Sequence, residues 1–316
     1  PEIIHTLLEK NNFIRPISVA GAAISLLKQE PLIKELIKNI NDQKSSSQIK
    51  ETVISLSNFP ILMKLMELCP IPDLDIEILL KFIRSALLIN LSKLQNNHEI
   101  IPFQISLSMQ CFINEYLYEE TDLETQKISE LEEYIKNNIT KEIYPSANEL
   151  ACLSSYKSLR EYPWINSVYI PDQLNSLYLR QALEPEKEKV LMQNIRKFQS
   201  ITDNISSKVR EQYEQNPYPR WMKLKLPRRP RSISEILKEA NIRPQYSRIF
   251  EVSNPKILVA GCGTGQHSIE TASRFKNCDI LAIDLSLSSL AYAKRKTDEL
   301  NISNIEYMRV DILDIG

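Results

Sequence analysis

Three glycines at positions 261, 263 and 265 set the chemical question. The chain has 316 residues and only five glycines, the other two being Gly21 and Gly316. Average usage would supply several times as many. A sequence that avoids glycine elsewhere and places three within five positions needs backbone freedom there. The loop Gly261-Cys262-Gly263-Thr264-Gly265 lets a ligand lie against the main chain with no Cβ in the way. Asp284 follows Gly261 by 23 positions and ends the next apolar run, DILAID. A carboxylate there can accept both hydroxyl protons of a ribose. Asp311 closes a third apolar run, IEYMRVD, where it can meet the edge of an adenine. The chemistry these residues suggest is capture of a nucleoside.

Two nucleoside cofactors fit that layout. A dinucleotide site favours GxGxxG, with the pyrophosphate on the helix N-terminus. Here the loop is GxGxG, and Gln266 stands where the last glycine of the dinucleotide pattern would be. S-adenosylmethionine has no pyrophosphate and needs only close passage of its amino acid and ribose, so it is the expected cofactor. A nicotinamide enzyme and a Rossmann-like sheet without a ligand are the competing readings. Cys262 would need an activating base to act as a nucleophile; between two glycines it reads as a small residue filling a tight turn. His267 reads either as a cofactor contact or as packing in the first helical turn.

The elements that must hold these residues are legible. Lys256–Ala260 (KILVA) reads as a buried strand, residues 266–275 as a helix, Asp279–Asp284 as a second strand, Leu287–Leu300 as a helix and Ile305–Asp311 as a third strand. This alternation with continuous apolar strands predicts a parallel, doubly wound α/β sheet, whose ligands bind outside the carboxyl ends of the strands.

Upstream, the pattern is helical. Ile33, Leu36, Ile37 and Ile40 follow Pro31 on one face; Ile76, Leu79, Leu80, Ile83, Leu87, Leu91 and Leu94 recur at helical spacing behind a cap at Asp73 or Asp75; Ile128, Leu131, Ile135 and Ile139 mark another helix. Glu184-Pro185-Glu186 opens one more, with Val190, Leu191, Ile195 and Phe198 expected inward. The expected division is a helical domain over 1–206, a connector over 207–250 and a Rossmann-like domain over 251–316. The helical region serves either docking and dimerisation or scaffolding. In the connector, Ser232 and Glu235 fit a capping box. Its QYEQNPYPRW block carries Pro217 and Pro219, which stiffen an extended segment. That block reads as a lid bringing Tyr213, Tyr218 or Arg220 to the cofactor, or as a packing strap anchored by Trp221. The basic run from Arg220 to Arg231 attracts an acidic protein surface or is a solvated linker.

Bulk properties narrow the classes. Hydrophobic residues make up 43% and charged residues 25%, with net charge -1 and pI near 6.5, so nucleic acid is not the expected partner. No apolar run reaches the ~20 residues of a membrane span, so no membrane insertion is expected. Five cysteines and three histidines at irregular spacing give no zinc pattern, and no metal is expected. A reducing, cytoplasmic setting is the simplest reading.

ILVAGCGTG, ILAIDLS and IEYMRVDIL together resemble the first three motifs of the class I S-adenosylmethionine-dependent methyltransferases. The resemblance implies that Gly261, Gly263 and Gly265 line the methionine part, with Cys262 and Gln266 beside them. It implies that Asp284, with Leu285, holds the ribose and that Asp311 and Ile312 frame the adenine. Many members carry an acidic residue two before the first glycine; here it is Val259. QCFINEYLY (Gln110 to Tyr118), VREQYEQNPYPRW (Val209 to Trp221) and AGCGTGQHSIE (Ala260 to Glu270) resemble a bacterial group that includes the rickettsial protein-lysine methyltransferases of an outer membrane protein. That narrower resemblance implies a protein-lysine acceptor, S-adenosylhomocysteine as product and a homodimer. Within these blocks Glu115 and Tyr116 read as packing and capping positions. A class I sheet continues through about four more strands, so the first half of the core is expected here. No catalytic residue is assigned; acceptor-site and proton-accepting residues are expected beyond Gly316. The competing readings are a methyltransferase acting on a small molecule or nucleic acid, and a non-catalytic helical scaffold with a vestigial cofactor loop.

Overall fold

A computed structural model describes residues 2–41, 48–94, 97–198, 213–214 and 217–315. The chain divides into two compact units: Pro1–Pro185 with Trp221–Lys223, and Glu186–Arg220 with Leu224–Gly316.

The first unit is helical. Its α-helices are α1 (Glu2–Glu9), α2 (Ile17–Leu27), α3 (Pro31–Asn41), α4 (Ile49–Ser57), α5 (Pro60–Leu68), α6 (Leu74–Ile89), α7 (Leu91–Leu94), α8 (Ile101–Ile113), α9 (Asp122–Ile139), α10 (Ala147–Leu153) and α11 (Asn175–Tyr178). Asp73 caps α6, its side chain accepting from Ile76 N at 3.1 Å. The long apolar run from Ile76 to Leu94 is interrupted: α6 stops at Ile89, with Asn90 as its C-cap, and α7 resumes at Leu91. Reciprocal capping boxes start α9 (Thr121 with Glu124) and α10 (Ser146 with Glu149), so orphan N–H groups of both first turns have side-chain partners. Three apolar clusters follow among the described residues, one through α1–α6 and α8, a second around α8, α10 and α11, and a small third one of Leu88, Leu91, Cys152 and Tyr156.

A buried ion pair, Arg84 with Glu124, sits inside this unit. Arg84 is 1% exposed; its Nη2 donates to Glu119 O at 3.0 Å and to Glu124 Oε1 at 3.4 Å. Tyr156 donates to the same Glu124 oxygen at 2.8 Å, and the guanidinium carbon lies 4.2 Å from the centroid of the Tyr156 ring. Glu115 and Tyr116, at the end of α8, both adopt positive φ, and Tyr116 N bonds back to Cys111 O at 2.8 Å. They close a helix C-terminus, as their capping reading expects.

The second unit is built on a parallel sheet. Helix α12 (Glu184–Asn194) runs into the two-residue strand β1 (Arg196–Lys197); α13 (Ile233–Glu239), β2 (Lys256–Ala260), α14 (Gln266–Arg274), β3 (Asp279–Asp284), α15 (Leu287–Glu299) and β4 (Ile305–Arg309) follow. Strand order is β1-β4-β3-β2, all parallel. The capping box of Ser232 and Glu235 opens α13. The expected third strand is shorter than read: it ends at Arg309, so Asp311 lies on the turn after it. Val190 and Phe198 are 59% and 57% exposed, not inward. Helical spacing stops at Asn194, and the chain turns to strand pairing, with Phe198 N donating to Arg309 O at 3.1 Å.

The units divide at Pro185, earlier than the 206/207 boundary read from composition, which falls among residues outside the described set. The reason is packing. Leu191, Met192 and Ile195 join the sheet cluster, and buried Arg295 donates its Nε to Glu188 Oε1 at 2.8 Å. Ile257, Val259, Ile280, Ala282 and Tyr307 point into that cluster with Ala272 of α14 and Leu290, Ala291 and Ala293 of α15. The Tyr307 hydroxyl sits between Ser268 of α14 (3.3 Å) and Thr297 of α15 (2.8 Å). Both crossover helices therefore cover one face. On the other face Leu258 is 52% exposed.

Among the described residues no helix is long and apolar enough to cross a membrane, and no group of His, Cys, Asp and Glu could hold a metal ion.

Candidate functional site

The chain leaves β2 at Ala260 and turns through Gly261, Gly263 and Gly265, with φ of +67°, +50° and +85°. These left-handed values are what L-residues with a Cβ resist. Cys262 N donates to Ile283 O at 2.9 Å, so the loop is sewn to the end of β3. There the Asp284 carboxylate joins two loops: Oδ2 accepts Gly263 N at 2.8 Å and Oδ1 accepts Ser286 N at 3.0 Å. A carboxylate offers about four acceptor positions, so both oxygens keep capacity for further donors such as the hydroxyls of a ribose.

The glycines divide by role. A Cβ at Gly263 would meet nothing within 4 Å, and one at Gly261 would touch only Ile312 Cδ1 at 3.7 Å. Ile312 is 52% exposed and stands over that glycine. At Gly265 the same atom would fall 2.6 Å from the Ala293 Cβ and 3.2 Å from the Tyr307 hydroxyl. The Gly265 N–H donates to Cys262 O, and its carbonyl receives Ile269 N and the Ser268 hydroxyl. Gly265 is thus required by helix packing, while Gly261 and Gly263 border open space. Open space above two glycines, a tethered carboxylate beside them and an apolar side chain over one of them fit an adenosyl group bearing an amino acid.

The remaining expected residues take these places. Asp311 is buried at 6%, its Oδ1 accepting Leu313 N at 3.0 Å. Gln266 opens α14, and it and Leu285 are half-buried. Cys262 is buried, and burial, reinforced by the Asp284 charge, pushes its thiol well above the ordinary range; a neutral thiol fills the turn. His267 is exposed. Val259, where many related domains are acidic, is buried at 5% in the sheet cluster.

Of the QYEQNPYPRW block, Gln212, Gln215 and Asn216 lie outside the described residues, as does Val209 to Glu211 before it. The pieces on either side of 215–216 both reach the site. The Tyr213 carbonyl accepts the Ser286 hydroxyl at 3.1 Å, and Glu214 binds Leu287 N at 2.9 Å and Ser288 N at 3.0 Å. Thr264, inside the glycine loop, donates its hydroxyl to Pro219 O at 2.9 Å. Tyr213 and Tyr218 are exposed, and Arg220 is buried at 6%. Trp221 is buried too but belongs to the first unit, so it is not grouped with the glycine loop. Sequence reading missed Glu214 and Thr264. Glu214 lies 73 positions from Leu287, and no local pattern announces so distant a helix cap.

Residues 257–316 match the family model described as a methyltransferase domain. The match takes in the glycine loop, Asp284 and Asp311. The chain is also 32% identical over 79 residues to a tRNA (guanine-N(7)-)-methyltransferase of Rubrobacter xylanophilus. That similarity covers 24% of this chain, which spans 35% of the relative's length. No solved structure matches the chain. Fold and comparisons agree on part of a Rossmann-like methyltransferase core behind a helical region.

Proposed function

We propose that this chain carries the cofactor site of an enzyme that moves a methyl group from S-adenosylmethionine to lysine side chains of a protein, a bacterial outer membrane protein being the expected acceptor. The observation that carries the cofactor part is the Asp284 carboxylate, fixed by the Gly263 and Ser286 amides beside the uncovered face of Gly263. Gly261 and Gly263 give the methionine portion room, Asp284 accepts from the ribose, and Asp311 with Ile312 borders the adenine. Bound there, S-adenosylmethionine supplies a methyl group already activated by its sulfonium. The protein's share is to fix that group in line with the acceptor and exclude water. A lysine acceptor must arrive neutral, against an ordinary pKa near 10.4.

The acceptor class is supported by the resemblance of the Gln110–Tyr118, Val209–Trp221 and Ala260–Glu270 blocks to protein-lysine methyltransferases. A net charge of -1 is in keeping with it. The same resemblance supports a homodimer, which sedimentation of the full-length protein would test. Five free, buried cysteines support a reducing compartment such as the cytoplasm.

A nucleic-acid acceptor is favoured by one specific set of observations. The relative from Rubrobacter xylanophilus is named as acting on tRNA, and every charged residue from Lys225 to Arg231 is basic. Arg228 and Arg229 are exposed, as are Arg274 and Lys276 on the segment paired with Arg231.

Calorimetry with S-adenosylmethionine tests the cofactor site: absence of heat at millimolar ligand in a folded sample rejects it and leaves a helical scaffold with a vestigial loop. Transfer of labelled methyl from the full-length protein to a cell lysate tests the acceptor. Label removed by protease and recovered as methyl-lysine supports lysine; label that resists protease and yields to nuclease overturns it.

A further inference from the structure

The N-terminus of α15 begins three residues after Asp284, and each of its first four N–H groups is satisfied. Leu287 N and Ser288 N donate to the two Glu214 carboxylate oxygens at 2.9 and 3.0 Å. Ser289 N donates to the Ser286 hydroxyl at 3.1 Å, and Leu290 N to the Ser286 carbonyl at 3.1 Å. The Ser288 hydroxyl adds bonds of 2.8 Å to the Glu214 carboxylate and carbonyl. A carboxylate at this end of a helix is also held by the helix dipole. Five positions further along the chain, beyond 215–216, a second tie is made: the Thr264 hydroxyl donates to Pro219 O at 2.9 Å. One short piece of chain is therefore bonded at one end to the helix that follows the ribose carboxylate and at the other to the glycine loop. Both flanks of the cofactor crevice are fastened to it, and they belong to one compact unit with it.

We infer that Glu214 is a positioning residue for cofactor binding: it pins a strap, Tyr213–Glu214 and Pro217–Arg220, that holds the glycine loop and the start of α15 at their working separation. The inference rests on the proposed cofactor site. Glu214 acts through Asp284 and the loop rather than on the ligand. A plain helix cap would stabilise α15 and leave the glycine loop indifferent. A strap makes its two ties, Glu214 and Thr264, mutually dependent, because release of either frees the same segment.

The test uses the chain with Glu214→Gln, Thr264→Val and the two combined, each keeping the size of the original side chain. Hydrogen exchange resolved by peptide is read without ligand. Glu214→Gln is expected to quicken exchange roughly tenfold in the 261–267 loop, whose hydrogen bonds Glu214 does not share, as well as at Leu287 and Ser288. The double variant should be no worse than the worse single one. Quickening confined to 287–288, or effects of the two substitutions that simply add, overturns the strap. Titration with S-adenosylmethionine on the unsubstituted chain judges the cofactor site by itself. If it binds, each single variant should weaken it about tenfold without further loss in the double; unchanged affinity in Glu214→Gln overturns the positioning role while leaving the site intact.

Discussion

Gly263 and Gly265 are two positions apart and share a left-handed backbone, yet they are glycine for different reasons, and substitution separates them. Gly265→Ala would push a methyl group to within 2.6 Å of Ala293. Backbone strain of roughly 1–2 kcal/mol adds to overpacking of about 1–3 kcal/mol, so a large drop in the urea midpoint is expected. Gly263→Ala meets open space and should cost only about 1–2 kcal/mol of backbone strain, but it plants a methyl where the ligand passes. Calorimetry should show S-adenosylmethionine affinity falling far more than unfolding free energy. If the two variants behave alike, the division of roles is wrong. Glycine economy revealed the loop in the sequence, because backbone need shows directly in residue type. Which glycine serves the ligand and which the helix was not legible, because that depends on Ala293, brought close only by the fold.

At the level of elements, what was readable was local. The capping box of Ser232 and Glu235 spans three positions, and the structure has it with both bonds made. The strands at Lys256–Ala260 and Asp279–Asp284 stand where apolar runs put them. The tie between α12 and α15 was hidden, because Glu188 and Arg295 are 107 positions apart. Arg295 is 2% exposed; Glu188 meets its Nε at 2.8 Å and Glu299 meets its Nη1. Glu188→Ala removes a carboxylate from a buried guanidinium and is expected to cost about 3–5 kcal/mol, measured by denaturant unfolding. Glu188→Gln, which keeps an acceptor, should cost less. Equal losses would mean that packing of the side chain matters and its bond to Arg295 does not. Thr121→Ala, which takes the cap from α9, should cost about 1 kcal/mol.

For the molecule as a whole, acid is the expected weakness, and it reaches both units. Burial alone would raise the Glu124 carboxyl, but bonds from Thr121 and Tyr156 and the charge of Arg84 outweigh it and hold the group below the ordinary value of 4.5. Glu299 in the second unit is likewise pushed up by burial and pulled further down by Lys296 and Arg295. A carboxyl held low in the fold contributes stability that is fully present above the unfolded value and is lost as pH falls through the folded one. Unfolding midpoints should therefore be flat near neutrality and fall below about pH 5. Glu124→Gln should flatten part of that decline; an unchanged slope would show that Glu124 does not contribute to it. Composition suggested two domains but not their seam, because Leu191, Met192 and β1 declare their allegiance only by what they pack and pair with. The chain visits the helical unit twice, first as Pro1–Pro185 and again as Trp221–Lys223, where Met222 packs into its clusters and the Lys223 ammonium donates to Leu8 O at 2.7 Å. Neither unit can accordingly be excised with a single cut. A fragment starting at 251 would lose β1, Glu188 and Glu214 together, and one ending at 206 would lack the three residues that return.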